Sequence, residues 1–574
     1  LHCLKLSGQN YVVAGNVLDR IRSTYSSEES NIQFSGNVRQ TLQKAMKTHI
    51  DLFRGTGDSI YLAEAFRFSE KSKSALLMQA FHDQEELAYG TIPGEFPAKE
   101  KILKNKIAGY KKLIHDEMLS PSSNALKIDI WNEEIFNLER EFETLTQHIK
   151  KEYPDYYARK YEGKGTTIPA LRERLNNEVI LEYAFCDSLL YCFVITDRQF
   201  NVLESQPGQD FYKSVPALLD VLQQGPTVEP EEQFKAFVNA SLLFYNLLIK
   251  PASSHIQGKK LIIVPDGVIS HIPFETFLTE PPTTMVPNYK DLKFLMTTNC
   301  IRYSYLASTL LMPQKKARGM KAMGAFAPVE YHVEVSGQSV FKTDYPQGLA
   351  SLPASLEEAE KARDIIGGDL FAKDNAGEGA FKSSCTDYQI LHLSTHTLID
   401  PLNPAFSRFV MYNTPDSLED NMLNAFEISS LPLNASLVVL SSCNTGTGRL
   451  YSGEGVFNLA RGFLYAGVPS VVMTLWEIDD NVGSEIILKF YNNLRKEMPA
   501  DEALWHAKLS YIKESDRMRS HPYFWSAFVN IGNSNPVSVK NPAWWNYGIV
   551  LTICLAGLAA GFAALKNRKK KQAT

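Results

Sequence analysis

The sequence predicts an α/β domain built on a largely parallel sheet, with helices on both faces. A helical region precedes this domain, and one transmembrane helix follows it. Three observations lead to this prediction: strand-like and helix-like segments alternate in the second half, helical periodicity dominates the first part, and an uncharged apolar segment lies near the C-terminus. A chain of 574 residues is too long for one compact core, so we expect more than one domain.

The composition is that of an ordinary globular protein, with 44% hydrophobic and 21% charged residues. The net charge of −5 argues against the basic surface of a nucleic-acid binder, so we expect no nucleic-acid partner. The seven cysteines form no Cys-x-x-Cys pair, and their number is odd. Neither a zinc knuckle nor a disulfide framework is therefore expected, and we predict no cofactor.

Residues 1–165 are predicted to be helical, because apolar residues recur at helical spacing in segments such as 37–53, 58–81 and 131–151. Pairs of helices of this length suggest a tetratricopeptide-like array, although the repeat period of about 34 residues is not clean. A generic helical bundle is the alternative. The chain opens on Leu1, which we interpret as the loss of preceding sequence.

Residues 166–536 are assigned to the α/β domain. Its first part contains strand-like runs in 178–204 and a buried strand ending in a Pro-Asp-Gly turn within 259–277. Strands and helices then alternate, which is typical of βαβ units. The predicted strands are 320–328, 388–396, 436–444 and 469–479, and the predicted helices are 355–368, 453–467 and 481–496.

The segment Gly548–Leu565 contains 18 residues without a charge. As a helix it would be about 27 Å long, close to the roughly 30 Å of a bilayer core. Residues 537–547 form a linker with an aromatic belt, and residues 566–574 form a basic tail. These features predict a transmembrane helix, and a buried core helix is the alternative.

The basic tail also predicts an orientation. The positive-inside rule puts this tail in the cytoplasm and the α/β domain in the periplasm or the exterior. A tail-anchored cytoplasmic protein is the alternative.

Two polar residues follow apolar strands at corresponding positions. His396 follows the strand-like run QILHLST, and Cys443 follows LVVLSS. Since sites in open parallel sheets form beyond the carboxyl ends of the strands, we expect the two side chains to meet at one sheet edge. A neighbouring imidazole can take the proton of a thiol and raise its thiolate fraction. A buried structural cysteine is the alternative for Cys443.

His392 and His396 also raise the question of a metal site. On one extended strand, residues four apart are separated by roughly 13 Å, which one ion cannot bridge. We therefore predict no metal and interpret His392, which lies inside the apolar run, as structural.

The segment Val438–Asp480 resembles the cysteine block of the CHAT family. Members of this family are caspase-like peptidases that are related to separase and are often joined to tetratricopeptide repeats. It contains Ser-Ser-Cys443-x-Thr-Gly, Gly-Glu-Gly, Leu-Ala-Arg-x-Phe, Ala-Gly and Leu-Trp in that order. Further segments resemble other landmarks of the family and extend the likeness over about residues 175 to 534. They are Ile262–Phe277, Leu352–Glu360, the ILHLSTH run and His521–Gly532.

The resemblance implies a caspase-like fold, His396 as the catalytic histidine and Cys443 as the nucleophile. It also implies that the backbone N–H groups of Thr397 and Cys443 form the oxyanion hole. In related peptidases a glycine usually follows the histidine, and Thr397 stands in its place here.

Acidic residues near the strand ends suggest a pocket for a basic P1 side chain of the substrate, formed by Glu454 and Asp479. Helix capping is the alternative for both, since a carboxylate is favourable at a helix N-terminus.

The predicted function is that of a membrane-anchored cysteine endopeptidase. Its partners are a protein substrate and a regulatory protein bound by the helical region. The alternatives are a catalytically inactive scaffold and another cysteine hydrolase, such as a transpeptidase or amidase of the cell envelope.

Overall fold

A computed structural model gives the architecture. Apart from short gaps, it describes most of the chain up to residue 537. The described residues are 1–22, 28–74, 76–78, 95–118, 120, 122–157, 167–311, 320–331, 349–400, 403–414, 419–442, 449–451 and 455–537.

The first 174 residues are helical in their described parts. The helices are His2–Arg22, Glu28–Thr56, Ser59–Lys71, Glu95–Met118, Ala125–Glu152, Pro154–Tyr157 and Ile168–Arg174. The second helix gives way to the third at Gly57, whose φ of +72° is a left-handed conformation that glycine adopts without strain. Asp58 then caps the third helix by accepting a hydrogen bond from the N–H of Ile60 at 3.0 Å.

The rest of the described chain alternates between strands and helices. The strands are β1 Glu178–Cys186, β2 Leu189–Ile195, β3 Phe200–Ser205, β4 Lys260–Val264, β5 Ile301–Tyr303, β6 Lys321–Ala327, β7 Asp369–Ala372, β8 Tyr388–Leu393, β9 Thr397–Leu398, β10 Arg408–Val410, β11 Met422–Asn424, β12 Leu437–Leu440, β13 Arg449–Tyr451, β14 Gly455–Phe457, β15 Ser470–Thr474 and β16 Phe528–Gly532. The α-helices are Gln209–Gln224, Pro230–Phe244, Ser253–Ile256, Pro353–Ile366, Glu378–Ser384, Ala425–Ser430, Leu459–Tyr465, Asp480–Leu494, Ala500–Glu514 and Pro522–Trp525.

Eleven of the described strands form one sheet in the order β3-β2-β1-β4-β5-β16-β15-β12-β8-β6-β7. The strands from β15 to β7 are parallel to one another, and so are β1, β4, β5 and β16. The two parallel halves run in opposite directions, because β15 and β16 pair antiparallel. β2 and β3 add an antiparallel edge. The predicted parallel-rich α/β sheet is confirmed, with this reversal at its centre.

Helices cover both faces of the sheet, and the side chains of β1 show how each face is buried. Val179 and Leu181 pack into the core that contains the helices Gln209–Gln224 and Pro230–Phe244. Ile180 packs on the opposite side, into the core formed with the N-terminal helices. A strand that is buried on both faces is mostly apolar. The charged exceptions in β1 are Glu178 at its start and the buried Glu182, whose carboxylate pairs with Lys73 at 3.0 Å.

The predicted membrane localisation needs correction. Within the residues that the structure describes, no helix combines the length and the apolar character needed to cross a bilayer. The longest described helices, Glu28–Thr56 and Ala125–Glu152, carry charged residues along their whole length. This finding contradicts the predicted membrane localisation. The predicted span itself, residues 548–565, lies outside the described residues.

Candidate active site

The ends of β8 and β12 form the centre of the candidate site. The two strands are parallel neighbours, and Leu393 is register-paired with Leu440. His396 lies three residues beyond Leu393, and Cys443 lies three residues beyond Leu440. Because adjacent strands are about 4.8 Å apart, the two segments leave the sheet side by side. Cys443 itself lies outside the described residues, so its predicted contact with His396 stays a prediction.

Hydrogen bonds continue the alignment of the two segments beyond the ladder. The N–H of Ser441 donates to the carbonyl oxygen of Leu393 at 2.9 Å. The N–H of Thr395 donates to Ser442 Oγ at 3.2 Å. The carbonyl oxygen of Ser442 accepts from Thr474 Oγ1 at 2.7 Å, which ties the segment to the end of β15 as well. The residues directly before His396 and Cys443 are therefore held together.

The imidazole of His396 is partly exposed and has contacts with two described residues. Its Nε2 lies 2.7 Å from the carbonyl oxygen of Ala350. A carbonyl can only accept, so Nε2 carries the proton in the neutral ring and Nδ1 keeps the lone pair. The ring of Tyr331 packs against the imidazole at a centroid distance of 4.6 Å and a tilt of 60°. This tautomer suits a general base that acts through Nδ1.

Burial lowers the pKa of His396, whereas the Ala350 carbonyl and the charges of Asp480 and Glu477 raise it. The effect of burial is the largest, so the pKa of His396 is lowered overall. The imidazole is therefore neutral at pH 7 and available as a base. Burial, together with Asp479 and other nearby carboxylates, raises the pKa of Asp480. Two carboxylates on the segment that follows β15 thus act electrostatically on the histidine.

Asp479, a predicted substrate-pocket residue, has a structural role. It caps the helix Asp480–Leu494, and its Oδ1 accepts from the N–H groups of Asn481 and Val482, both at 3.1 Å. This is the capping alternative from the sequence analysis. Glu454, the other predicted pocket residue, lies outside the described residues. Glu477 is a third carboxylate in the same segment and is not among the predicted pocket residues.

Thr397, the predicted oxyanion-hole residue, lies in β9, directly after His396. It is register-paired with Phe409 of β10, and its side chain is buried. The N–H of Val410 donates to the carbonyl oxygen of His396 at 2.9 Å. The histidine backbone is thus held by the small β9–β10–β11 sheet. The oxyanion role of Thr397 stays a prediction.

His392 is structural, as predicted. It is fully buried on β8, with Nδ1 3.0 Å from the hydroxyl of Tyr491 and Nε2 3.3 Å from Glu358 Oε1. These partners belong to the two helices that pack on this face of the sheet, Asp480–Leu494 and Pro353–Ile366.

Among the described residues, the carboxylates of Glu378, Glu419 and Glu427 lie close enough to share a cation. The ammonium of Lys382 contacts all three, at 2.8, 2.6 and 2.9 Å. Lys382 therefore supplies the positive charge of this cluster.

The described cysteines other than Cys3 are poor nucleophiles. Cys186, Cys192, Cys300 and Cys385 are buried, and Cys3 is exposed. Burial raises the pKa of Cys186 and Cys385 to about 11 and that of Cys192 to about 12. A thiol with such a pKa is almost entirely protonated at pH 7.

The fold and this edge of the sheet define the class: an α/β protein with a candidate site beyond the carboxyl ends of adjacent parallel strands. Residues 240–533, a little over half of the chain, match the family model described as the CHAT domain. The chain belongs to the CHAT domain family, and the family predicted from the sequence is confirmed.

Sequence relatives include tetratricopeptide repeat protein 28 of Mus musculus and of Homo sapiens. Each is 26% identical over 223 residues, which cover 33% of this chain. The match spans only 9% of the length of these relatives.

Similar solved structures include a complex of separase with securin from Saccharomyces cerevisiae. It has a TM-score of 0.42 and 10% identity over 92% of this chain and 48% of that one. The Arg-specific cysteine proteinase gingipain R has a TM-score of 0.32 and 7% identity over 53% of this chain and 68% of that one. At these scores the likenesses are too weak to support a functional inference.

Proposed function

We propose that this chain is a cysteine endopeptidase in which Cys443 is the nucleophile and His396 is its general base. The observation that carries the proposal is the register of β8 on β12, because His396 and Cys443 are each the third residue in sequence after the paired Leu393 and Leu440. The membership of the CHAT domain family supports it. So does the tautomer of His396, which leaves Nδ1 free to take a proton.

In the proposed reaction, His396 Nδ1 takes the proton of Cys443 Sγ, and the thiolate attacks the carbonyl carbon of the scissile peptide bond. The oxyanion of the tetrahedral intermediate accepts hydrogen bonds from the N–H groups of Thr397 and Cys443. The imidazolium then donates its proton to the leaving amine, and a thioester remains. Water activated by the same imidazole hydrolyses this thioester and restores the thiol.

For the substrate we propose a basic residue at P1. The charges of Glu477 and Asp480, which act on His396, support this preference because they concentrate negative potential beside the site. Both side chains are exposed and can pair with a Lys or Arg of a substrate. Asp479 is committed to its helix cap and is left out of this role.

We further propose that a protein partner regulates the enzyme through the helical region. The helix Glu95–Met118 contacts the segment that follows the candidate base. His115 Nε2 lies 2.7 Å from Asp400 Oδ2, and Lys112 pairs with Asp420. Asp400 is only four residues from His396. A partner that moves this helix would therefore act directly on the segment that carries the histidine.

A proteome-wide cleavage profile that compares the wild type with Cys443→Ala tests the proposal. Cleavage sites that appear only with the wild type, with Lys or Arg at P1, are the expected result. Identical profiles, both without a partner and with proteins captured on the helical region, would favour an inactive scaffold.

A further inference from the structure

Tyr331 lies where the chain leaves β6 and reaches the candidate site. It is 9% exposed and packs in a small apolar cluster with Leu398 and Val410. Its ring lies against the imidazole of His396 at 4.6 Å. β6 is the parallel neighbour of β8 in the sheet, so Tyr331 approaches the histidine from the side opposite to β12.

The hydroxyl of Tyr331 is part of a directed chain of hydrogen bonds. It lies 3.1 Å from Thr395 Oγ1, and Thr395 Oγ1 donates to the carbonyl oxygen of Val410. Since the single proton of the threonine hydroxyl goes to Val410, Tyr331 must be the donor to Thr395. The same Thr395 donates its N–H to Ser442. The tyrosine is thereby anchored to both segments of the site.

A histidine ring needs more than one contact to stay in place. The torsion that turns an imidazole is broad and roughly two-fold, so one hydrogen bond does not fix the plane of the ring. Nε2 of His396 is bonded to Ala350, and the face of the ring is covered by Tyr331. Together these contacts fix the orientation of Nδ1.

We propose that Tyr331 is a positioning residue that holds the imidazole of His396 against the Ala350 carbonyl, an inference that rests on the peptidase function proposed above. Its aromatic ring carries this role, and its hydroxyl anchors the ring to Thr395. This role requires no proton transfer by Tyr331, whose hydroxyl donates to Thr395.

The test combines NMR of His396 with kinetics. The titration of His396 is followed in a Cys443→Ala background, and its resonance is identified by its loss in His396→Gln. Tyr331→Leu is expected to raise the pKa of His396 towards the ordinary 6.5, because water reaches the uncovered ring. In the active enzyme the same change should lower kcat by about tenfold or more, with a smaller effect on KM. Tyr331→Phe keeps the ring and should retain the wild-type pKa and most of kcat.

Tyr388→Leu is the matched control. Tyr388 is a buried tyrosine at the start of β8, where its hydroxyl donates to Asp369, far along the strand from His396. The control should leave the pKa of His396 unchanged. The inference fails if Tyr331→Leu leaves the titration of His396 unchanged, or if the control changes it equally. The NMR measurement needs no activity, so an inactive wild type would count against the proposed function and not against the role of Tyr331.

Discussion

The backbone N–H of Thr395 donates to Ser442 Oγ at 3.2 Å, so the residue before His396 is bonded to the residue before Cys443. Both partners are buried. This hydrogen bond lies beyond the last paired residues of β8 and β12. It fixes the position of one segment relative to the other along the strand direction. Holding a nucleophile and its base in the reactive geometry can supply a large part of the rate enhancement, because the entropy cost of bringing the two groups together is already met in the folded enzyme.

The bond between Thr395 and Ser442 leads to the first prediction. Ser442→Ala leaves the buried N–H of Thr395 without this acceptor, which should cost about 1 to 3 kcal/mol of stability. It should also lower kcat more than it changes KM, since the two segments lose their alignment. Urea unfolding and steady-state kinetics measure both effects. Ser441→Ala is the control, because Ser441 bonds Leu393 through its backbone N–H. Equal losses in the two variants would contradict a specific role for the Ser442 hydroxyl.

The carboxylates beside His396 lead to the second prediction. Glu477→Gln and Asp480→Asn should each lower kcat/KM by about tenfold for substrates with Lys or Arg at P1, and little for neutral P1 residues. Matched peptide substrates that differ only at P1 provide the measurement. Asp479→Asn is the control, because asparagine is as good an N-cap as aspartate and only the charge is lost. The assignment of the pocket is wrong if Asp479→Asn has the largest effect.

The third prediction concerns the attachment of the helical region to the sheet. Arg39 bonds Asp266 through both carboxylate oxygens, at 2.7 and 2.9 Å, and Asp266 Oδ2 also accepts from the N–H of Phe185 at 2.9 Å. The side chains of the pair are 12% and 4% exposed. Arg39→Met should therefore cost about 3 kcal/mol, since it leaves a buried charge without its partner. Hydrogen exchange of the Phe185 amide should speed up accordingly.

Arg54→Met is the control for this prediction. Arg54 lies on the same helix and pairs with Glu204, but the two side chains are 44% and 32% exposed. A surface pair of this kind contributes about 0 to 1 kcal/mol. If both arginine variants are equally stable, the Asp266 pair does not hold the helical region in place.

The fourth prediction concerns stability in acid. Burial lowers the pKa of His521 to about 3, and its neutral Nδ1 accepts the N–H of Tyr523 at 3.1 Å. The unfolded chain takes up this proton at its ordinary pKa of 6.5, so stability is present above that pH and is lost as the pH falls towards 3. Between pH 7 and pH 5, protonation of this group in the unfolded chain should lower the free energy of unfolding by about 2 kcal/mol.

His521→Asn should remove this part of the acid sensitivity, because asparagine keeps an acceptor for Tyr523 and does not titrate. The measurement is the urea midpoint at pH 7 and at pH 5. His506 is exposed, and His506→Asn serves as the control. This variant should keep the wild-type pH dependence of stability. If the His521 variant loses as much stability between pH 7 and pH 5 as the wild type does, other groups cause the acid sensitivity.

Much of the part of the sheet that carries the candidate site can be predicted from the sequence. β6, β8, β12 and β15 lie within their predicted segments, because parallel strands that are buried on both faces are short, mostly apolar runs. The helices Pro353–Ile366 and Asp480–Leu494 lie within two residues of the predicted ones. The predicted helix at 453–467 begins only at Leu459, since β14 occupies Gly455–Phe457 and pairs with β13.

Other features depend on contacts that local patterns do not contain. β5 has three residues, too few for a recognisable period, and it is held by its neighbours β4 and β16. The antiparallel pairing of β15 with β16 reverses the sheet, and the sequence has no signal for it. The partner of His396 is the backbone carbonyl of Ala350, which any residue could supply. Tyr331 is an isolated aromatic residue whose role appears only when β6 lies beside β8.

Covalent labelling of Cys443 by a thiol-reactive peptide with Arg at P1 tests the central claim most directly. The measurement is made in a Cys3→Ser background, because Cys3 is the exposed thiol among the described cysteines. The wild-type dyad should label rapidly at pH 7, and His396→Ala should slow labelling by about 100-fold or more. Labelling at the same rate without His396 would mean an exposed thiol that is not activated. A Cys443 that the peptide does not label, alone or with a partner bound, would contradict the proposed dyad.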